Sequence, residues 1–230
     1  MSTIGSEMIK PAEFRSQVMK IQKDLTANNG PFMKSLCSGA LPKEKVKLWA
    51  IEFFNFTRWM VTGCVTVPNA FHDRSEESLH AKLDNALGEF GFKEVNIHPF
   101  LALDLAYELG ATWEEARDHI PLPTTIWYIR QRLGSKENAL GAATNIIEAD
   151  NQVTCSMVFD AMTTKYGVSA KAASYFDVHR EADTDHTEEF LAILEEVCDT
   201  RVKQEEALAI CRRTMLKRNV VFDGFMELVS

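Results

Sequence analysis

Apolar positions recur at helical spacing along nearly the whole chain, and no stretch alternates apolar and polar residues long enough to require a strand. After Pro11, residues Phe14, Val18, Ile21 and Leu25 stand at i, i+4, i+7 and i+11, which puts them on one face of a helix. The Asn28-Asn-Gly30-Pro31 turn ends it. A short helical piece around Phe32 to Leu36 leads to Gly39. Pro42 then opens a long segment holding Trp49, Phe53, Phe54, Phe56, Trp59 and Met60, apolar enough to be a central helix.

Further along, Ser75-Glu-Glu predicts the start of a helix with Leu79, Leu83 and Leu87 on one face and Gly91 at its end. Pro99 to Leu109 is followed by Gly110, and Thr112-Trp-Glu-Glu reads as an N-cap with acids in the first turn. Ile120 to Thr124, with Pro121 and Pro123, reads as a connector. Two long helices are expected next, from about Ser135 to Tyr166 and from about Ser169 to Val197. A last helix runs from about Arg201 to Leu228. The pattern predicts one all-helical domain of seven to nine helices over residues 1–230, with 1–10 as a flexible lead.

Composition narrows the class. At 230 residues and 46% hydrophobic, the chain can bury a full core. No apolar run approaches the ~18 residues of a membrane span, and the first ten residues lack a secretory signal's basic-then-apolar order. A cytoplasmic protein with no membrane contact is expected. The net charge of -8, with no Lys/Arg cluster beyond Cys211-Arg-Arg-Thr-Met-Leu-Lys-Arg, argues against nucleic acid as a partner. The five cysteines are scattered, with no C-x-x-C pair, which argues against a disulfide framework or a zinc knuckle.

Candidate chemistry centres on Tyr175-Phe-Asp-Val-His179-Arg-Glu-Ala-Asp183-Thr-Asp-His186. At ~100° per residue, His179, Asp183 and His186 fall within about 60° of one another on a helix, so two imidazoles and a carboxylate can converge on one metal such as iron. Tyr175 and Phe190 lie on the same stripe and give such a site aromatic walls. Only six histidines occur in the chain, and burying three such groups without a partner would cost several kcal/mol. A polar helix face that happens to carry two histidines is the competing reading.

A trio on one helix leaves coordination positions for other helices. Glu148 follows the close-packing run Ala139, Leu140, Ala142 and Ala143, Glu89 lies where the leucine-striped helix ends, and His98 precedes Pro99. Glu52 has Trp49, Phe56 and Trp59 at i-3, i+4 and i+7, so its carboxylate lies in an aromatic stripe. It is a candidate catalytic base or pocket residue, with a salt-bridged structural acid as the alternative. Phe53, Trp59, Tyr175 and Phe176 are candidate pocket walls, which core packing would explain equally well. Arg58 and Arg130 are both candidates to receive a substrate carboxylate.

Asn85…Glu89-x-Gly91, His98-Pro99, Glu148 and His179-x3-Asp183-x2-His186 occur in an order that resembles the haem-oxygenase-like di-iron oxidases, across roughly Pro31 to Ile193. The C-terminal trio preceded by Tyr175-Phe176 is the most specific part. The resemblance implies a haem-oxygenase-like helical bundle, and a six-ligand site of Glu89, His98, Glu148, His179, Asp183 and His186 for two Fe2+. It implies O2 as co-substrate, a small-molecule substrate and a homodimer. Hard oxygens and imidazoles without thiolate suit iron or manganese. The interval from Glu89 to His98 is longer than in many members, which predicts weaker holding of one metal.

The implied activity is oxidation of a small amino acid or related carboxylic acid, by C–C or C–N cleavage or desaturation, with N-oxygenation of an amine as the alternative. A metal-free hydrolase or binding protein like the thiamine-degrading relatives is a third reading, for which Cys155, two turns after Glu148, is a candidate thiol. No histidine precedes His72, so haem is not expected. Glu77-Ser-Leu-His80 matches the E-x-x-H of ferritin-like bundles, but that fold needs two copies. Glu77, His80, His72 and His119 are therefore expected at the surface.

Overall fold

The structure, a computed structural model, describes residues 7–64, 87, 97–135 and 146–230; within these it describes only the backbone of 61–64, 133–135 and 181–186. The described residues form nine α-helices, one 3-10 turn and no strand. In chain order the helices are α1 Pro11–Asp24, α2 Pro31–Ser38, α3 Lys43–Cys64, α4 His98–Glu108, α5 Trp113–Asp118, α6 Pro123–Ser135, α7 Ile146–Lys165, α8 Ser174–Val197 and α9 Arg201–Val229. No described helix is long and apolar enough to cross a membrane.

Local signals explain most boundaries. Pro11 opens α1 at its first turn, where a missing N–H costs nothing, and Phe14, Val18 and Ile21 are its buried stripe. Gly39 closes α2 in the left-handed conformation at φ 77°, with its N–H on Leu36 O and that of Ala40 on Ser35 O. Thr112 caps α5 with a reciprocal capping box. Its hydroxyl accepts from Glu115 N, and the Glu115 carboxylate accepts from Thr112 N.

Two boundaries differ from the sequence reading. The connector ends at Pro123, which opens α6 at its first position; proline there has its φ preset for a helix, so the paired prolines mark a start as well as a break. The helix expected from Ser169 begins at Ser174. The Ser169 N–H and hydroxyl instead donate to Glu108 at 2.5 and 2.7 Å, which draws that turn onto the end of α4. The helix predicted from Ser75 lies outside the described residues except for Leu87, which is helical and exposed. Ile9, within the lead expected to be flexible, is buried, and Gln204 bonds both its N–H and its C=O.

The longest helix, α9, buries Gln204, Ala207, Cys211, Thr214, Arg218, Val221, Phe225 and Val229, a stripe stepping by three and four residues. It packs on α1, α2, α3, α6 and α7, while α8 packs on α7 and α4. Two large apolar clusters result. One gathers Phe32, Trp49, Tyr128, Met162, Phe176 and Phe225; the other gathers Phe14, Val18, Ile147, Phe190, Leu194 and Met215.

A buried polar knot lies at their junction. Asp150 accepts from Arg218 Nη1, Gln22 Nε2, Thr26 Oγ1 and Asn28 Nδ2, and Arg218 Nη2 also donates to Asn151 Oδ1 and Thr154 Oγ1. Along α7 Asp150 stands between Ile147 of one cluster and Cys155 of the other, and along α9 Arg218 stands between Met215 and Val221. A buried carboxylate this fully bonded fixes α1, α7 and α9 in one register.

Candidate metal centre

Helix α4 is buried almost all round, with His98, Pro99, Leu101, Ala102, Leu103, Leu105 and Ala106 shielded from solvent. Its first residue, His98, faces α8, where it meets His179. The two imidazole centroids are 4.6 Å apart at 64°, and each residue is 6% exposed. The neighbour that follows His179 also ties the region down: the Arg180 guanidinium lies 4.4 Å over the Phe159 ring of α7.

The His179 ring is oriented by its own helix. Its Nδ1 is 2.7 Å from the Tyr175 carbonyl oxygen, which can only accept, so the proton belongs on Nδ1 and the lone pair on Nε2. The Tyr175 ring stacks on His179 at 4.1 Å and lies edge-on to His98 at 6.2 Å. Two buried imidazoles, one with its tautomer fixed by a backbone carbonyl, are a donor set suited to iron. These residues fit a metal.

The remaining expected ligands divide by position. Glu89 lies outside the described residues. Asp183 and His186 stand one and two turns beyond His179 on the α8 backbone, on the stripe the spacing requires, and their side chains lie outside the description. Glu148 is in the first turn of α7, with one carboxylate oxygen shut off from solvent. It sits about 200° round the helix from Asp150. The knot that holds Asp150 against α1 and α9 therefore turns Glu148 away from them. Among the described residues, histidines, cysteines and carboxylates form no group of three close enough to hold a metal, so His98 and His179 stand as a pair.

Three of the four expected pocket residues come together. Phe53 lies 5.0 Å from Tyr175 and 5.3 Å from Phe176, and Tyr175 is 5.3 Å from Phe176. Trp59, six residues along α3 and about 120° round it from Phe53, is 47% exposed and lies outside this group. Arg130 is exposed, and Arg58 lies 5.4 Å over the Phe54 ring.

Glu52 is fully buried, and its carboxylate is committed to the α5–α6 connector. It meets His119 Nε2 at 2.5 Å and accepts from Leu122 N at 3.1 Å. His119 was expected at the surface; this pairing draws it in, and its side chain is only 16% exposed. The carboxylate thus joins α3 to the connector. Glu77, His80 and His72 lie outside the described residues.

Sequence reading gave no place to Asp150 or Arg132 and took Arg218 only as the end of a basic stretch; all three are buried. A basic residue within the apolar stripe of α9 was the available signal for Arg218. Cys155 is buried in the cluster of Val158 and Met162. Cys198 and Cys211 are buried thiols, each pushed up to about 12 by desolvation.

An all-helical bundle that places histidines from two helices beside one aromatic stripe defines a class, the haem-oxygenase-like fold carrying a candidate metal site. Residues 48–218 match the family described as iron-containing redox enzymes, and the chain belongs to that family. It is 26% identical over 234 residues to the 4-aminobenzoate synthase of Nitrosomonas europaea, covering 93% of this chain and 91% of that protein. A Shewanella denitrificans domain of unknown function with a heme oxygenase-like fold superposes with TM-score 0.78 at 18% identity, over 96% of this chain and 94% of the other. A CADD-like protein of unknown function from Nostoc punctiforme gives 0.77 at 15% identity, over 95% and 100%. Both likenesses establish the fold.

Proposed function

We propose that the protein is a non-haem di-iron, O2-dependent oxidase or oxygenase acting on a small amino acid or related carboxylic acid, by oxidative C–C or C–N cleavage or desaturation. The observation that carries this reading is the His98–His179 pair, two buried imidazoles with the His179 lone pair set on Nε2. Membership of an iron-containing redox family and similarity to a 4-aminobenzoate synthase support it. His98, His179 and Glu148, with Glu89, Asp183 and His186, would hold two Fe2+ and no haem. Bound iron would supply the electrons for O2 reduction.

The chain's own residues prepare the site in three ways. The Tyr175 carbonyl keeps the His179 proton on Nδ1, so no rotation is needed when a metal arrives. Rings of Phe53, Tyr175 and Phe176 exclude water on the α3 side. The Asp150–Arg218 knot fixes the first turn of α7, from which Glu148 projects.

Anaerobic loading with Fe(II), removal of excess metal and exposure to O2 tests the reading. Close to two iron per chain, with O2 consumed in proportion to the iron, is the expected result. A folded protein that retains no iron after loading overturns it.

A further inference from the structure

Helix α9 carries a second stripe, on the side away from its buried one. Ala209, Arg213, Leu216, Val220, Asp223 and Glu227 are all exposed and step by four and three residues in turn, the spacing of a coiled-coil seam. Leu216 and Val220, at its middle, are 49% and 39% exposed. Trp127 of α6, also 39% exposed, stands at their level. Lys217 Nζ donates to Gln131 Oε1, and Gly224 backs onto Thr124, so α6 and α9 run antiparallel with Trp127 and Val220 at the same height. An indole and two branched aliphatic side chains thus lie together on the outside of the bundle.

The charges around this strip are sorted by sign. Arg212, Arg213 and Lys217 precede Val220, and Asp223 and Glu227 follow it. Arg213 and Lys217 are like charges at i, i+4, as are Asp223 and Glu227, and none of the four has an opposite charge three or four residues away along the helix. Burial and the Arg213 charge hold the Lys217 ammonium below the usual lysine range. A solvated face mixes its signs, as the start of the same helix does, where Arg201 pairs with Glu205 and Lys203 with Asp199.

A second copy of the same helix, laid antiparallel, answers both features. In a two-fold contact, residue i of one copy meets j of the other and j meets i. An axis passing midway between Leu216 and Val220 sets Leu216 on Val220 of the second copy and Arg213 on its Asp223, each twice. We propose that this α9 stripe, widened by Trp127, is a self-complementary homodimer face, with an apolar centre of Leu216 and Val220 closed at both ends by Arg213–Asp223 pairs. A stable interface buries ~800 Å² per partner, more than one helix face supplies, so the dimer dissociates in the micromolar range. No residue of the metal centre contributes to it.

Sedimentation equilibrium on the full-length protein, from low micromolar to several hundred micromolar, is the test. The wild type should pass from monomer to dimer, and less readily as salt rises. Arg213→Glu and Asp223→Arg should each weaken self-association at least tenfold, because each sets like charges across the axis. Each also creates an opposite pair at i, i+4, with Lys217 or Glu227, so neither variant should melt below the monomeric wild type. An equimolar mixture of the two variants should recover a dimer of one copy of each, within a few-fold of wild-type strength, since opposite charges then face each other at both ends. Should a reversal variant fail to fold, Leu216→Gln, which breaks the apolar centre, decides in its place by the same tenfold loss. A wild type that stays monomeric throughout the range, a dimer that these substitutions do not weaken, or a mixture no more associated than its parts overturns the proposal.

Discussion

The carbonyl oxygen of Tyr175 accepts a hydrogen bond from His179 Nδ1–H at 2.7 Å, one helical turn away, while the Tyr175 ring stacks on the same imidazole at 4.1 Å. One residue thus sets both the tautomer and the plane of a candidate ligand. The backbone half of this arrangement survives any substitution at 175, but the stacking half does not. Tyr175→Ala is expected to lower Fe(II) affinity about tenfold, within the range for groups that orient a metal-bound histidine. Competition against a chromophoric chelator measures it, and unchanged affinity would show that stacking plays no part.

The Asp150–Arg218 pair gives a sharper stability prediction. Arg218→Met leaves a carboxylate buried with only neutral donors, a loss of about 3–5 kcal/mol. In a protein of this size that lowers Tm by about 10 °C. The double variant Asp150→Leu with Arg218→Met should recover a large part of the loss, because no uncompensated charge remains. Calorimetry on the single and double variants checks both; a double variant less stable than the single one contradicts the account.

Glu52→Ala should free the connector between α5 and α6. The variant leaves Leu122 N–H and the His119 ring without their acceptor, at about 1–3 kcal/mol. Hydrogen exchange at the Leu122 amide should accelerate by more than the change in global stability explains. Preserved protection there would show that Glu52 has another role.

Acid sensitivity is predicted where α4 meets the turn before α8. The Ser169 hydroxyl and N–H hold the Glu108 carboxyl below the usual glutamate range, with Lys43 adding to the effect. A depressed folded-state pKa means that the unfolded chain binds more protons in that range. The contribution is therefore present at neutral pH and lost as pH falls through the folded-state value. Ser169→Ala should flatten the acid limb of stability against pH, read by denaturant melts from neutral pH down through the carboxylate range. An identical limb in both proteins contradicts this.

Thiol chemistry should follow burial. Cys198 and Cys211, raised to about 12 by desolvation, are almost wholly protonated at mildly alkaline pH and should resist iodoacetamide in the native state. Peptide mass spectrometry before and after unfolding reads this directly. Rapid native labelling of Cys211 would show that α9 opens there.

Much of the helical plan was legible because burial follows a period that sequence displays. The Phe14, Val18 and Ile21 stripe, the Gly39 and Gly110 stops and the Thr112 cap are all local signals, and all appear in the structure. Helix α6 was missed because Pro121 and Pro123 were read as breakers, although proline at a first helical position is also a starter. His179 was legible as a candidate from the spacing within one helix, and His98 only through the family resemblance. Their meeting could not be derived from spacing, since it depends on how α4 crosses α8. Asp150 with Arg218, and Glu52 with His119, were hidden for the same reason: a carboxylate in an apolar stripe announces that it has a partner without saying which residue it is.

The central claim is that His98 and His179 bind the same iron site. Crystals grown anaerobically with Fe(II), and measured on both sides of the iron absorption edge, test it most directly. The account predicts anomalous density between the two rings, with His179 Nε2 and one ring nitrogen of His98 each about 2.1 Å from iron, the range typical of imidazole–metal bonds. Well-ordered His98 and His179 side chains with no iron near them, under conditions where the protein retains the metal elsewhere, would contradict it.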